Sequence, residues 1–210
     1  METVKVVVGN LALVFTIVNY ASGIQICRNV YAKGNTNDVS PLPFLAGILT
    51  TFIWLEYGVT KEDSILLWVN SIGLLLQLSF LICFHFFTKV KRPLNLKVFT
   101  LAAILAAIFC EVNYVVKSKD TSLSILGSIG CAAALFFFSS PLATVAQVVR
   151  SQSTESLPFP LILSAFIVSS LWTLYGVLCD DAFIYVPNFM GALITSCQLA
   201  LFLIYPSKSI

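Results

Sequence analysis

The sequence WLEYG at positions 54–58 is followed, after eleven intervening residues, by NSIG at positions 70–73. The same pattern returns as WTLYG at 172–176 and NFMG at 188–191. The shared Trp, Asn and Gly residues are separated by one constant offset of 118 (172 − 54, 188 − 70 and 191 − 73). Chance does not produce Trp-x-x-Tyr-Gly and Asn-x-x-Gly twice at the same spacing. The pattern therefore indicates two copies of one structural unit.

Both copies lie in long apolar blocks. Of the 210 residues, 58% are hydrophobic and only 10% are charged, whereas soluble domains carry roughly 25% charged residues. A spanning helix needs about 20 mostly apolar residues. Seven blocks have this length, at roughly 6–28, 41–59, 64–88, 97–116, 123–148, 158–178 and 182–205. Because their polarity does not alternate as in a membrane β-barrel, we expect an all-α integral membrane protein with seven transmembrane helices.

Each copy spans three predicted helices, and one further helix joins the copies. The first repeat covers residues 1–88, the linker helix covers 97–117, and the second repeat covers 123–206. Because three is odd, one connecting helix returns the second repeat to the orientation of the first, so the repeats are parallel. The expected architecture is 3+1+3, with a seam between two three-helix bundles where a transported solute would sit.

Charge differs between the two sets of predicted loops. The loops after helices 1, 3 and 5 and the C-terminal tail carry eight basic and two acidic residues. The opposite side carries four basic and eight acidic residues, counting Glu56 and Glu111 near helix ends. Because basic excess marks the cytosol, we expect an extracellular or lumenal N-terminus and a cytosolic C-terminus.

Several classes of function lack their sequence signals. The six cysteines show no CxxC spacing, which argues against a zinc or redox site. No Ser/His/Asp set, phosphate loop or basic patch with interleaved aromatics occurs, so we expect neither an enzyme, a cofactor nor a nucleic-acid partner. Ion coupling usually places a carboxylate or histidine deep in the membrane. Glu56, Glu111 and His85 all lie near predicted helix ends, which favours uncoupled transport of an uncharged solute.

The paired motifs resemble those of the SWEET (MtN3/saliva) sugar transporters. Pro-x-Pro, Trp-x-x-Tyr-Gly and Asn-x-x-Gly occur in both halves, and the resemblance covers nearly the whole chain. The stretch at 155–189, with the closing Tyr205-Pro206, is particularly similar to animal, insect-type members. The resemblance implies facilitated, bidirectional diffusion of mono- or disaccharides, first of all glucose, by alternating access. It also implies residence in the plasma membrane or the Golgi membrane and leaves a homo-oligomer open.

In that family, sugar binds between an Asn pair and aromatic or small residues one layer away. The matching positions are Asn70 and Asn188, with Trp54 and Trp172. Asn offers both a donor and an acceptor to sugar hydroxyls, and a tryptophan ring can stack on a pyranose face. Two structural alternatives stay open: the amides join helices as polar glue, or the tryptophans lie at the membrane interface.

The same resemblance implies hinges and an outer gate. Family hinges are four prolines near the cytosolic ends of helices 1, 2, 5 and 6, where proline loosens a helix. Three positions match, namely Pro43, Pro141 and Pro158. Helix 1 has no proline near Ser22 and Gly23, where glycine could supply flexibility. The outer gate pairs Tyr57 of helix 2 with Asp181 before helix 7.

Two other functions remain as alternatives. A proton-coupled amino-acid exporter of the PQ-loop class would normally show Pro-Gln, but Phe44 follows Pro43 and Phe159 follows Pro158. A non-transporting trafficking or scaffold protein is the alternative from a different class, and sugar flux across a membrane separates it from a transporter.

Overall fold

The structure is a computed structural model that describes residues 2–137, 139–155 and 157–205. Within these ranges the chain is all-helical. Seven helical spans are long and apolar enough to cross a membrane, and two of them, the first and the fifth, each contain two successive helices. The helices are α1 (Glu2–Tyr20), α2 (Ser22–Lys33), α3 (Leu42–Lys61), α4 (Ser64–Phe87), α5 (Lys91–Cys110), α6 (Lys119–Phe137), α7 (Ser139–Ser151), α8 (Phe159–Leu178) and α9 (Ala182–Ile204). A π-helical turn, Glu111–Val115, extends α5. The predicted all-α fold with seven spans is confirmed.

The first span consists of α1 and α2, which are separated by a turn at Ala21. At this turn, backbone hydrogen bonds join residues three positions apart instead of four. Ala21 N donates to Val18 O and Ile24 N donates to Ala21 O, both at 3.0 Å. Gly23 follows the turn, and a Cβ added there would overlap the Phe80 ring. Close packing therefore explains this glycine, which the sequence suggested only as a source of flexibility.

Two compact units make up the chain, and their boundaries fall inside the first span (Glu2–Lys33) and the fifth span (Lys119–Ser151, which contains α6 and α7). One unit is Ile17–Gly130, and the other combines Met1–Thr16 with Cys131–Ile210. The first is built around the α3–α4 hairpin and the second around the α8–α9 hairpin. Each unit thus contains two helices of one sequence repeat and part of the leading helix of the other.

The duplication is visible in the turns that close the two hairpins. Glu62 and Asp180, 118 positions apart (180 − 62), both adopt left-handed backbone conformations, with φ of 64° and 51°. Asp63 and Asp181 follow them and cap α4 and α9 by accepting hydrogen bonds from backbone N–H groups of the first helical turn. A carboxylate is among the best N-caps. An acidic pair at equivalent positions therefore lies in the same kind of turn in both repeats.

The glycine that ends the repeated Trp-x-x-Tyr-Gly motif is explained by close helix approach. A Cβ added at Gly58 would lie 2.9 Å from Leu66 Cβ, and one added at Gly176 would lie 2.6 Å from Tyr185 N. Real Cβ atoms essentially never come so close. Glycine therefore lets each hairpin's second helix cross directly after the turn.

Candidate functional site

Asn70 lies on α4 and Asn188 lies at the equivalent position of α9. Asn70 is 6% exposed, and its Nδ2 donates to Leu66 O at 2.8 Å. Asn188 is half-buried, and its Nδ2 donates to Ile184 O, also at 2.8 Å. Each bond returns to the residue's own helix one turn earlier. Among the described residues, neither amide bonds a second helix of its own compact unit.

The same bonds leave hydrogen-bonding capacity in both amides. A neutral Asn side chain has two N–H donors and one carbonyl acceptor. One donor is used by the helix carbonyl, and no further partner is found for Asn70 or Asn188 in the described part of the chain. One N–H and one carbonyl oxygen on each side chain are therefore available to a polar ligand.

Trp54 and Trp172 each pack edge-on against the tyrosine three residues later in the motif. The ring centroids of Trp54 and Tyr57 are 5.3 Å apart with an interplanar angle of 69°. Those of Trp172 and Tyr175 are 5.5 Å apart at 89°. Such T-shaped pairs are a favoured aromatic geometry. Trp54 is half-buried and Trp172 is 7% exposed, whereas Trp68, which has no counterpart in the second repeat, is 60% exposed.

The indole N–H groups of the two tryptophans differ. Trp172 Nε1 donates to Thr16 Oγ1 at 2.9 Å, and Thr16 Oγ1 donates in turn to Ala12 O at 2.7 Å. Trp54 has no such partner among the described residues, and its ring packs on Gly130, where an added Cβ would lie 2.8 Å from Trp54 Cζ2. Ala12 and Gly130 are again 118 positions apart (130 − 12). Sequence reasoning did not find Thr16, because its partner is 156 residues away.

Tyr57 and Asp181, the two residues of the predicted outer gate, are both buried, with 2% and 5% exposure. Tyr57 belongs to the unit Ile17–Gly130, where Lys61 Nζ lies 5.9 Å from its ring centroid. Asp181 belongs to the other unit, where its Oδ1 accepts from Phe183 N at 3.0 Å. Asp181 therefore has a structural task as a helix cap, and its pairing with Tyr57 stays a prediction.

Two polar contacts that the sequence did not predict lie near the turn after α3. Glu56 Oε2 accepts from Asn113 Nδ2 at 3.2 Å. Lys119 Nζ donates to Glu62 Oε1 at 2.8 Å. This hydrogen bond and the charge of Lys119 lower the pKa of the Glu62 carboxyl. The contacts connect the C-terminal part of α3 and the turn that follows it to the two sides of the loop between the fourth and fifth spans.

Two of the three predicted hinge prolines lie at helix starts. Pro43 is in the first turn of α3, and Pro158 is the residue before α8. A first-turn N–H has no intrahelical partner, so proline costs no hydrogen bond there. Pro141 lies in α7, and residue 138, directly before α7, lies outside the described residues. The role of the three prolines as hinges stays a prediction.

Pro187 lies inside α9, directly before Asn188. Because proline has no N–H, it cannot bond the carbonyl of Phe183 one turn earlier. Cys131 Sγ donates to this carbonyl at 3.6 Å. The thiol thus gives Phe183 O a hydrogen-bond partner where the proline cannot, one turn from a candidate sugar-binding amide.

Comparison with known proteins supplies the family. The MtN3/saliva family model, described as "Sugar efflux transporter for intercellular exchange", matches residues 6–92 and 124–209. A curated relative, sugar transporter SWEET1 of Drosophila pseudoobscura, is 39% identical over 199 residues, 94% of this chain and 88% of the relative. The chain belongs to the SWEET family. The resemblance inferred from the paired motifs is thereby confirmed.

Other SWEET proteins extend the comparison. Sugar transporter SWEET1 of Xenopus laevis is 32% identical over 194 residues, covering 92% of this chain and 90% of the relative. A solved structure of a eukaryotic SWEET transporter matches with a TM-score of 0.83 at 29% identity, covering 95% of both chains. The seven-helix architecture is therefore that of a solved SWEET transporter.

Proposed function

We propose that this chain is a facilitative sugar uniporter that moves mono- or disaccharides, first of all glucose, in both directions by alternating access. Membership of the SWEET family and the names of its curated relatives support sugar as the substrate class. The observation that carries the proposal is the repeated amide. Asn70 and Asn188 each bond only their own helix and keep one donor and one acceptor available for hydroxyl groups.

The two tryptophans complete the proposed sugar-binding residues. A sugar has apolar C–H faces as well as hydroxyls, and an aromatic ring covers such a face while amides bond the hydroxyls. The indole N–H of Trp172 donates to Thr16, so we propose that Trp172 contacts the sugar with its ring face alone. Trp54 has an indole N–H without a partner among the described residues, and we propose that it offers both its ring and a donor.

The ionisable groups in the spans favour transport without ion coupling. His85 Nε2 and Asn95 Oδ1 lie 2.8 Å apart near the end of α4, and Glu56 bonds Asn113 near the end of α3. Proton-coupled carriers generally place such groups in the middle of the membrane. We propose, from the loop charges, an extracellular or lumenal N-terminus and a cytosolic C-terminus, in the plasma membrane or the Golgi membrane.

The proposed hinge and gate complete the cycle. Pro43 and Pro158 sit where helices begin, so a change of direction there breaks no helical hydrogen bond, and we propose Pro141 in α7 as the third hinge. Rocking of rigid bundles around a bound solute requires such points. We propose that Tyr57 and Asp181 close the opposite, outer side.

The test is counterflow of radiolabelled glucose in proteoliposomes that contain the purified chain. Labelled glucose added outside should accumulate transiently inside vesicles that contain unlabelled glucose, with no pH gradient present. Collapse of a proton gradient should not change the rate of this uptake. Uptake of a cationic amino acid that depends on a proton gradient would favour the PQ-loop alternative. Absence of flux for every sugar tested, with folded protein, would favour a scaffold.

A further inference from the structure

A groove of about 360 Å³ runs between α4 and α5 near the connection that joins them. Five apolar side chains line it, Leu78, Leu81, Ile82, Val98 and Phe99. Ile82 and Phe99 are 70% and 72% exposed, so no part of the described chain covers the groove. Its polar end is formed by His85 and Asn95. The groove is therefore apolar along the helices and polar toward the connection.

Cations surround the polar end of the groove. Lys91 and Arg92 precede Asn95 by one helical turn, so they share the face of α5 that lines the groove. Lys89 lies in the connection itself. All three are exposed, and no ion pair or hydrogen bond engages their side chains within the described ranges. By contrast, Lys33 and Lys119 each bond a carboxylate at 2.9 and 2.8 Å.

The sequence offers these cations no acidic neighbour on their own elements. No Asp or Glu occurs between Asp63 and Glu111, a stretch that includes both helices of the groove. The formal charge of this helix pair is therefore positive without internal compensation. A ligand that matches the whole surface needs an apolar chain and an anionic head.

We propose that the groove binds one anionic phospholipid. An acyl chain lies along the apolar wall between α4 and α5, and the phosphate lies between Lys89, Lys91 and Arg92. Arginine and lysine are the side chains that recognise phosphate, arginine by paired N–H donors. The His85 and Asn95 pair lies at the level of the ester groups. The proposed orientation places this connection at the cytosolic leaflet, which holds the anionic lipids. The proposal does not depend on which solute the chain carries.

Native mass spectrometry of the purified full chain tests the site, with palmitoyl-oleoyl phosphatidylserine and phosphatidylcholine as the two probes. The unmodified chain should retain one phosphatidylserine in preference to phosphatidylcholine. The double variant Lys91→Gln with Arg92→Gln should lose this preference by roughly fivefold for each cation removed. Lys97→Gln with Arg28→Gln is the matched control, because it removes two exposed cations from the same side but away from the groove face.

A second variant separates the groove from general surface attraction. Ile82→Trp fills the groove from an exposed position, so it should fold and should reduce retention of both lipids. Equal retention of the two lipids by the unmodified chain would overturn the proposal, as would an equal loss in the control variant. If Ile82→Trp shifts the balance of monomer and dimer while the lipid preference persists, a second copy covers the groove and the proposal is wrong.

Discussion

Single side chains distinguish the two copies of the Trp-x-x-Tyr motif. Both tryptophans have the same edge-on tyrosine contact, but among the described residues only the indole N–H of Trp172 has an acceptor, which is Thr16 Oγ1. A buried donor that loses its acceptor costs about 1–3 kcal/mol. Thr16 therefore acts as a positioning residue for the Trp172 ring.

Thr16→Val should weaken sugar binding without unfolding the chain. Valine keeps the shape but removes the oxygen that accepts from Trp172, so the ring is no longer held in one orientation. We expect a several-fold higher KM for glucose, within the roughly tenfold that 1.4 kcal/mol corresponds to. Thr16→Ser, which keeps the hydroxyl, should transport like the unmodified chain. Identical KM values for the valine and serine variants would contradict this role.

The site residues were predictable from sequence only where the repeat marks them. Asn70, Asn188, Trp54 and Trp172 follow from one offset in the residue numbers. Thr16 did not, because the acceptor for an indole N–H is chosen by packing between helices distant in sequence. Cys131 was not predicted for the same reason, because its thiol donates to Phe183 O, 52 residues away in the sequence.

Among the elements, the two hairpin turns share a structural role, and one of them also has a proposed functional role. Asp63 and Asp181 cap their helices in the same way, but only Asp181 is a proposed gate residue. Loss of a cap costs about 0.5–2 kcal/mol, whereas Asn caps as well as Asp. Substitution by Asn therefore removes the charge and keeps the cap.

Asp181→Asn should open the outer gate while the unfolding temperature stays unchanged. A reporter Asn70→Cys, in a background without other reactive cysteines, measures how fast an impermeant maleimide reaches the proposed site from outside. We expect labelling at least about tenfold faster with Asp181→Asn, because a charge-assisted hydrogen bond contributes about 1.5–3 kcal/mol and about 1.4 kcal/mol corresponds to a factor of ten. Asp63→Asn is the matched control and should leave the rate unchanged. Equal rates in the two variants would remove Asp181 from the gate.

Hydropathy predicted the existence of all seven spans but not their ends. The first span continues to Lys33 rather than residue 28, and the fourth begins at Lys91 rather than residue 97. Lys and Arg are tolerated in terminal turns because their long side chains reach the polar surface, so helix and apolar block need not end together. The turn at Ala21 and the π-helical turn after α5 carry no signal in the apolar pattern.

At the scale of the whole molecule, the sequence repeats and the compact units do not coincide. The repeats were predicted as residues 1–88 and 123–206, but the units divide within the first and fifth spans. Trp172 bonds Thr16 of α1, and Trp54 packs on Gly130 of α6. Each leading helix thus gives its N-terminal half to the hairpin of the other repeat. The sequence repeat detects a duplication, but it does not show which helices of the two copies pack together.

The Lys119–Glu62 pair should make stability depend on pH. Because the partner lysine lowers the pKa of Glu62, the pair contributes stability above the carboxyl's ordinary pKa and loses it as the pH falls through the lowered value. Thermal unfolding in detergent should show a smaller fall in midpoint on acidification for Glu62→Gln than for the unmodified chain. Asp120→Asn, which removes a carboxylate beside the same lysine but leaves the pair intact, should behave like the unmodified chain. Parallel curves for all three proteins would contradict the contribution.

Glucose counterflow by three asparagine variants tests the central claim most directly. Asn10 also bonds the carbonyl one turn earlier, at 2.9 Å, but it is exposed on α1, so Asn10→Ala controls for the loss of such a bond. We expect that Asn70→Ala and Asn188→Ala abolish counterflow while both proteins remain folded, and that Asn10→Ala transports normally. Normal counterflow by either Asn70→Ala or Asn188→Ala, at equal amounts of folded protein, would contradict this expectation.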